Sequence, residues 1–192
     1  MLENIKHSKI ILASKSPRRK QLLKGLEIDF EIRTLDVDEV FPTNLKGKEI
    51  PEYLAKLKAD AFLSEIKNGE IVITADTVVW INDHVLNKPA NREEAIVMIS
   101  ELSGAEHQVF TGVCITSLEK QLTFSDETKV QFTKLNEAEI EHYVDHYQPY
   151  DKAGAYGAQD WIGYVGISKL NGSYFNVMGL PVHLLYEHLK QF

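Results

Sequence analysis

The sequence has a single cysteine, no long apolar run and fewer basic than acidic residues. Cys114 cannot form a disulfide within this chain. We therefore expect the protein to work in a reducing compartment, the cytoplasm. No apolar run approaches the roughly 18 residues that a membrane-spanning helix needs. The segment "MLENIKHSK" also lacks the apolar core of a signal peptide. We therefore expect no membrane partner.

Acidic residues outnumber basic ones by 28 to 21, which gives a formal net charge of −7. Proteins that bind nucleic acids usually carry the opposite balance, because they must neutralise many phosphates. We therefore expect no nucleic-acid partner. Basic residues that cluster locally in such a chain favour a pocket for a small anion.

One such cluster lies in "SPRRKQLLKG", which predicts a short helix with Ser16 as its N-cap and Pro17 at its first position. Arg18, Arg19 and Lys20 then occupy the first turn. The helix dipole is already positive there, and each cation costs about 0.3–1 kcal/mol. A bound anion would compensate for this cost. The alternative is a solvated basic turn.

The pattern of apolar residues predicts an α/β fold, with a mixed sheet flanked by helices. The 192 residues are enough for one domain, which we place at 1–192. "IVITA" is a continuous apolar run and predicts a strand buried on both faces. Residues 50–67 predict a helix, residues 107–117 and 121–133 predict long antiparallel strands, and the glycine-rich segment 148–181 predicts loops.

Acidic side chains occur at two places where they could do chemistry. Asp76 ends the run "IVITAD", and ligands of α/β sheets bind at the carboxyl ends of strands. Its carboxylate could bind a metal or act as a general base, or it could cap the following turn. Glu39 belongs to an acidic cluster with Asp36 and Asp38. Such a cluster can ligate Mg²⁺ or Mn²⁺, although most are solvated loops.

Three lysines and one glutamine are further candidates. Lys58 falls within an apolar helical stripe, so it either extends its ammonium to the surface or binds phosphate at the edge of a cleft. Lys88, in "LNKPA", is uninformative alone. In "YDKAGAYGAQD", Lys152 and the glycines favour close approach to a ligand, and Gln159 can recognise a base edge. A flexible loop is the alternative there.

Eight stretches together resemble the Maf family of nucleoside triphosphate pyrophosphatases. They occur in the family's order between Leu12 and Pro181, and they read "LASKSPRRKQLL", "DVDE", "KA", "ITADTVV", "LNKP", "SGAEHQVFTGV", "YDKAGAYGAQ" and "GSYFNVMGLP". The resemblance implies a fold related to the inosine triphosphate pyrophosphatases, two-lobed with a central cleft. It also implies hydrolysis between the α- and β-phosphates and a requirement for a divalent cation, Mg²⁺ or Mn²⁺.

The resemblance also assigns roles to residues that match the family's motifs. Asp76 resembles the family's proton acceptor, Glu39 its metal partner, and the basic residues its phosphate ligands. By this likeness the catalytic residues are Asp76, Arg18, Arg19, Lys58 and Lys88, the residues that bind substrate or set its choice are Ser14, Arg18, Thr77, Lys152 and Gln159, and the metal ligands are Glu39 and Asp76.

The motif "YDKAGAYGAQ" is similar to that of the subfamily acting on dTTP and UTP, with CTP or modified pyrimidine nucleotides as further candidates. Ala158 departs from the family, which often has Ile there, and this puts the tightness of base selection in question. The resemblance allows a homodimer. It also leaves an alternative function open, that of a non-catalytic nucleotide sensor that regulates cell division and septum formation.

Overall fold

The computed structural model describes residues 2–192, which form seven strands and seven α-helices. The strands are β1 (Lys9–Leu12), β2 (Phe30–Ile32), β3 (Glu70–Ile81), β4 (His84–Leu86), β5 (Glu106–Thr116), β6 (Gln121–Phe132) and β7 (Ile167–Asn171). The helices are α1 (Pro17–Lys24), α2 (Glu49–Asp60), α3 (Arg92–Leu102), α4 (Glu137–Tyr147), α5 (Trp161–Gly166), α6 (Tyr174–Met178) and α7 (Val182–Leu189). Short 3₁₀ turns lie at Glu3–Ile5 and Ala153–Ala155.

The strands form one mixed sheet in the order β2-β1-β3-β5-β6-β7, with β4 paired to β3. Strand β1 runs parallel to β2 and to β3, so that Leu12 lies opposite Ile32 and Ile73. The β3–β4 and β6–β7 pairs are antiparallel. The prediction of an α/β fold with a mixed sheet is confirmed.

The chain divides into two compact units. The first unit consists of Met1–Asp76, Thr111–Asp126 and Gly179–Phe192, and the second of Thr77–Phe110 and Glu127–Met178. Strands β3, β5 and β6 contribute residues to both units. Each unit has its own apolar clusters, and the larger of these packs α3 and α4 together in the second unit.

In the first unit, α2 packs closely on strand β5. Ala55 and Ala59 of the helix lie against the buried Cys114, which is a strand-interior residue as predicted. Gly112 makes this approach possible, because a Cβ there would lie 2.3 Å from the carbonyl carbon of Pro51. Any larger residue at this position would push the helix away from the sheet.

Two predictions about the fold are wrong in part. The predicted helix 50–67 ends at Asp60 and is followed by turns. The segment 148–181 is loop-like, apart from a 3₁₀ turn, only as far as residue 160, and it then contains α5, β7 and α6. Its glycines were misleading because they permit close packing: a Cβ on Gly163 would lie 1.9 Å from the carbonyl oxygen of Ala158. In the second half of the segment, glycine therefore indicated tight contacts and not an irregular chain.

Candidate functional site

In the first unit, the ammonium of Lys58 bridges two carboxylates. Its Nζ lies 2.6 Å from Oδ1 of Asp76 and 2.9 Å from Oε1 of Glu39. The side chains of Lys58 and Asp76 are only 16% and 11% exposed, whereas that of Glu39 is 45% exposed. The structure thus brings together three of the residues selected from the sequence, with two negative charges around one positive charge.

Secondary structure explains how Lys58 and Asp76 meet. Thr74 of β3 donates its hydroxyl proton to the carbonyl oxygen of Ala55 in α2, over 2.7 Å. Side chains two residues apart in a strand lie on the same face of the sheet, so Asp76 faces the same helix as Thr74. Lys58 follows Ala55 by three residues and lies on the same helix face one turn further. The contact between strand and helix therefore places the ion pair.

The expectation that Asp76 ends a strand is wrong, because β3 continues from Glu70 to Ile81 without a break. The adjacent parallel strand does end near this point. The last β1–β3 pair is Leu12 with Ile73, and the backbone N–H of Ala13 still donates to the Ile73 carbonyl. Asp76, in β3, therefore lies just beyond the level at which the neighbouring β1 ends. Ligands of parallel sheets bind at such carboxyl ends of strands.

Arg19 has contacts that its position in the helix did not reveal. Its Nε donates to the carbonyl oxygen of Gly179 over 2.8 Å, and its Nη1 donates to that of Ala75 over 2.9 Å. Burial lowers the pKa of Arg19, and the negative charges of Asp76 and Glu39 act in the opposite direction. Arg19 therefore holds the backbone next to Asp76 while its charge lies near both carboxylates.

The start of α1 has the predicted cap. The Ser16 hydroxyl accepts from the backbone N–H of Arg19, and Pro17 is the first helical residue. The buried Ser14 side chain accepts from the N–H of Ser16 over 3.2 Å, so it shapes the turn before the helix. Arg18, in the first turn, is half-buried.

The acidic cluster separates into different contacts. Asp36 pairs with Lys15 over 2.6 Å, with both side chains exposed. Asp38 is also exposed. Glu39 is the member of the cluster that contacts Lys58. The sequence alone could not separate the three acids, because they lie in one irregular segment.

In the second unit, Lys152 and Gln159 meet at a carboxylate that the sequence did not single out. The Lys152 ammonium lies 3.6 Å from Oδ2 of Asp160, and Nε2 of Gln159 donates to Oδ1 of Asp160 over 3.3 Å. The Tyr143 hydroxyl also donates to Asp160, over 2.8 Å. Asp160 directly follows Gln159 and precedes a helix, so sequence reasoning would treat it as an N-cap. No capping hydrogen bond from its side chain is present.

The two other candidates of the second unit differ in their exposure. Thr77 is half-buried, next in sequence to Asp76, and Lys88 is exposed ahead of Pro89. Their roles stay predictions.

The donor set of the first unit fits a magnesium-type ion bound together with a phosphate ligand. Glu39 and Asp76 offer hard carboxylate oxygens within reach of one ammonium group. Within residues 2–192 no group of three or more His, Cys, Asp or Glu side chains could hold a metal. Mg²⁺ commonly takes one or two protein carboxylates and completes its shell with water and substrate phosphates. Such an ion would need the substrate's oxygens here.

The sequence is similar to a known protein family and to several named proteins. The family described as Maf-like protein matches residues 9–192. A protein of Parabacteroides distasonis named dTTP/UTP pyrophosphatase is 55% identical over the whole of both chains. Proteins with the same name from Bacteroides thetaiotaomicron and Porphyromonas gingivalis are 55% and 50% identical, over 100% of this chain and 100% and 98% of theirs.

Two solved structures are more distantly similar. The Staphylococcus aureus Ham1 protein matches with a TM-score of 0.48 and 16% identity, over 65% of this chain and 72% of its own. A Mycobacterium abscessus protein described as nucleoside-triphosphatase and dITP/XTP pyrophosphatase matches with a TM-score of 0.42 and 15% identity, over 66% and 75%. In the described part of the chain, no helix has both the length and the apolar character to cross a membrane.

Proposed function

Because the chain belongs to the family of Maf-like proteins, we propose that it is a nucleoside triphosphate pyrophosphatase that hydrolyses dTTP and UTP. Relatives of this name, up to 55% identical over their full length, support the proposal. The observation that carries it is the Lys58 ammonium between the carboxylates of Glu39 and Asp76. A site that only bound nucleotide would have no need of a shielded carboxylate beside a phosphate-binding cation.

In the proposed reaction, water adds across the bond between the α- and β-phosphates, giving a nucleoside monophosphate and pyrophosphate. Asp76 accepts the proton of the attacking water, because it is the less exposed carboxylate and is held on a rigid strand. Glu39 and Asp76 would hold Mg²⁺ or Mn²⁺, and a divalent ion there would neutralise charge on the phosphates. Both the metal and its ligands are part of the proposal.

The basic residues neutralise the remaining charge of the triphosphate. Lys58 already lies between the two carboxylates, so we assign it to the phosphate nearest the attacked bond. Arg18, Arg19 and Lys88 are assigned to phosphate oxygens. The positive end of the α1 dipole lies beside Arg18 and Arg19 and also favours an anion.

Four residues are assigned to substrate recognition. We propose that Gln159 recognises the pyrimidine, and that Lys152, Thr77 and Ser14 contribute to binding or selection. Oε1 of Gln159 is buried and has no hydrogen-bond partner within the described part of the chain, as expected of an acceptor reserved for a ligand. Purines should be poor substrates because of their size, and CTP should be cleaved less well than UTP.

The test is pyrophosphate release from dTTP, UTP, CTP, ATP and GTP with Mg²⁺ or Mn²⁺. We expect kcat/KM to be highest for dTTP and UTP, with a margin over CTP of about 5- to 100-fold. Purified Asp76→Asn protein controls for contaminating pyrophosphatases. A preference for a purine nucleotide would overturn the substrate assignment. Tight pyrimidine binding without pyrophosphate release would favour the nucleotide-sensing regulator.

The proposal takes residues 1–192 as one pyrophosphatase domain that acts in the cytoplasm without a nucleic-acid or membrane partner. We include a homodimer in the proposal, and sedimentation velocity at micromolar concentration tests it directly. A monomer in this experiment would leave the catalytic proposal unchanged, because every residue assigned above comes from one chain.

A further inference from the structure

The side-chain amide of Gln159 has a defined orientation. Nε2 lies 3.3 Å from Oδ1 of Asp160, and a carboxylate can only accept hydrogen bonds. The nitrogen of the amide must therefore face Asp160, and the oxygen must face away from it. That oxygen, Oε1, is buried and has no hydrogen-bond partner among residues 2–192. Gln159 thus turns its nitrogen towards Asp160 and leaves its oxygen as an acceptor on the other side of the amide.

Asp160 is itself held on its other oxygen. Oδ2 accepts from the Tyr143 hydroxyl over 2.8 Å and lies 3.6 Å from the Lys152 ammonium. The Tyr143 oxygen accepts from the backbone N–H of Gly157 over 3.1 Å, so its single proton is directed to Asp160. Burial first, and then the charge of Asp160, raise the pKa of Tyr143, so the hydroxyl keeps this proton.

The backbone at Gly157 is adapted to this arrangement. A Cβ there would lie 2.6 Å from Nε2 of Gln159 and 2.7 Å from Oδ2 of Asp160. Any other residue would push the amide and the carboxylate away from their present positions. Asp160 also occupies the N-cap position of α5 without a capping hydrogen bond from its side chain. The carboxylate is therefore committed to Tyr143 and Gln159 and not to the helix.

We propose that Asp160 is a positioning residue for substrate choice, which fixes the Gln159 amide so that only Oε1 faces the base. This inference rests on the proposed function, since it concerns the recognition of a pyrimidine by Gln159. Uracil and thymine carry a proton on N3, which a carbonyl oxygen accepts. Cytosine has an unprotonated N3, which would face the same oxygen as a second acceptor.

The orientation decides the outcome because a free glutamine amide can turn over. A glutamine without Asp160 could present either its oxygen or its nitrogen, so it would serve uracil and cytosine nearly equally. With Asp160, turning the amide would place Oε1 against a carboxylate oxygen. The network therefore makes Gln159 selective against cytosine, with Tyr143 and Gly157 holding the carboxylate that orients it.

The decisive variant is Asp160→Asn, which retains size but can donate as well as accept. We expect the ratio of kcat/KM for UTP over CTP to fall from about 5- to 100-fold to within about threefold. Most of the change should come from improved KM for CTP. Asp83→Asn makes the same chemical change in an exposed turn and should leave the ratio as in the unaltered protein. An unchanged ratio in Asp160→Asn would overturn the inference.

A double-mutant cycle separates positioning from general damage to the fold. In a Gln159→Ala background, Asp160→Asn should not change the UTP-to-CTP ratio further, because no amide is left to orient. A further fall in that background would show that Asp160 acts by another route. Tyr143→Phe leaves the carboxylate in place, so its ratio should fall less than that of Asp160→Asn.

Failure of the proposed function would look different. If the unaltered protein releases no pyrophosphate from any pyrimidine nucleotide, the same ratio is taken from calorimetric dissociation constants for UTP and CTP. A preference for UTP that Asp160→Asn removes would then support the inference, although the catalytic proposal had failed. Equal binding of the two nucleotides by the unaltered protein would overturn it.

Discussion

Asp76→Asn is the substitution that most directly tests the proposed chemistry. Asparagine keeps the shape of aspartate and an oxygen that can accept from Lys58, but it cannot take a proton from water. Loss of a positioned general base lowers kcat by about 10²- to 10⁴-fold. The fold should tolerate the change, because Lys58 also has Glu39 as a partner. We expect a loss of about 1–2 kcal/mol, or about 2–8 °C in melting temperature.

Single-turnover release of pyrophosphate from UTP measures the chemical step, and calorimetry measures the melting temperature. Asp60→Asn is a matched control, because Asp60 accepts from Lys56 on the same helix over the same 2.6 Å distance that joins Asp76 to Lys58. The control should lose a little stability and no activity. Wild-type kcat in a folded Asp76→Asn protein would remove Asp76 from the mechanism and refute the reasoning above.

Three further predictions concern the surroundings of the site and the stability of the fold. Arg19→Ala should lower the melting temperature by about 5–15 °C, because two carbonyl groups lose a charged donor. Arg18→Ala should impair hydrolysis but change the melting temperature by no more than about 2 °C. Equal changes in melting temperature for the two variants would contradict this. Removing divalent ions with EDTA should abolish turnover, and adding Mg²⁺ or Mn²⁺ should restore it. The melting temperature should barely change. Activity that persists in EDTA would argue against a requirement for a divalent ion. Arg33 lowers the pKa of Glu70 from 4.5 to about 2, so the stability from this pair is complete above about pH 5 and is lost as the pH falls towards 2. Glu70→Gln should cost about 2 kcal/mol at pH 7, less than the full shift implies because Arg33 is partly exposed, and acid titration of the melting temperature should show the loss in the unaltered protein but much less in the variant.

Elements whose ends carry a clear local pattern are predictable from the sequence alone. Asn136 and Glu139 form a reciprocal capping box at the start of α4. Asn82 and Asp83 both have positive φ in the two-residue turn between β3 and β4, as expected for a tight hairpin. These signals act over a few residues, so no knowledge of the tertiary structure was needed to interpret them.

Elements set by distant contacts were not predictable in the same way. Strand β7 pairs with β6 far from it in sequence, with Leu170 opposite Val130. Its short sequence between glycines gives no alternation that identifies a strand. Helix α2 ends early at Asp60, although apolar residues continue beyond it with helical spacing. There the chain makes turns, and Phe62 and Ile66 join an apolar cluster with Ile11.

In the candidate site, too, the sequence indicates which residue types could act, whereas the contacts between them are visible only in the folded structure. The sequence indicated that Glu39, Lys58 and Asp76 could do chemistry, but spacing could not show that one ammonium joins both carboxylates. Nor could it select Asp160, since an aspartate before a short helix usually serves as its cap. Its side chain instead accepts a hydrogen bond from Tyr143, which is 17 residues away. Such a contact exists only after the chain has folded.

The basic residues at the start of α1 are not all explained in the same way. Each of them costs about 0.3–1 kcal/mol against the helix dipole, but the two hydrogen bonds of Arg19 to backbone carbonyls offset its own share. Arg19 therefore needs no anion to explain its presence. The anion hypothesis rests on Arg18, which is half-buried, more than on the exposed Lys20. Loss of hydrolysis in a stable Arg18→Ala protein is thus stronger support for a phosphate at this helix than the same loss in Arg19→Ala, where the backbone beside Asp76 also changes.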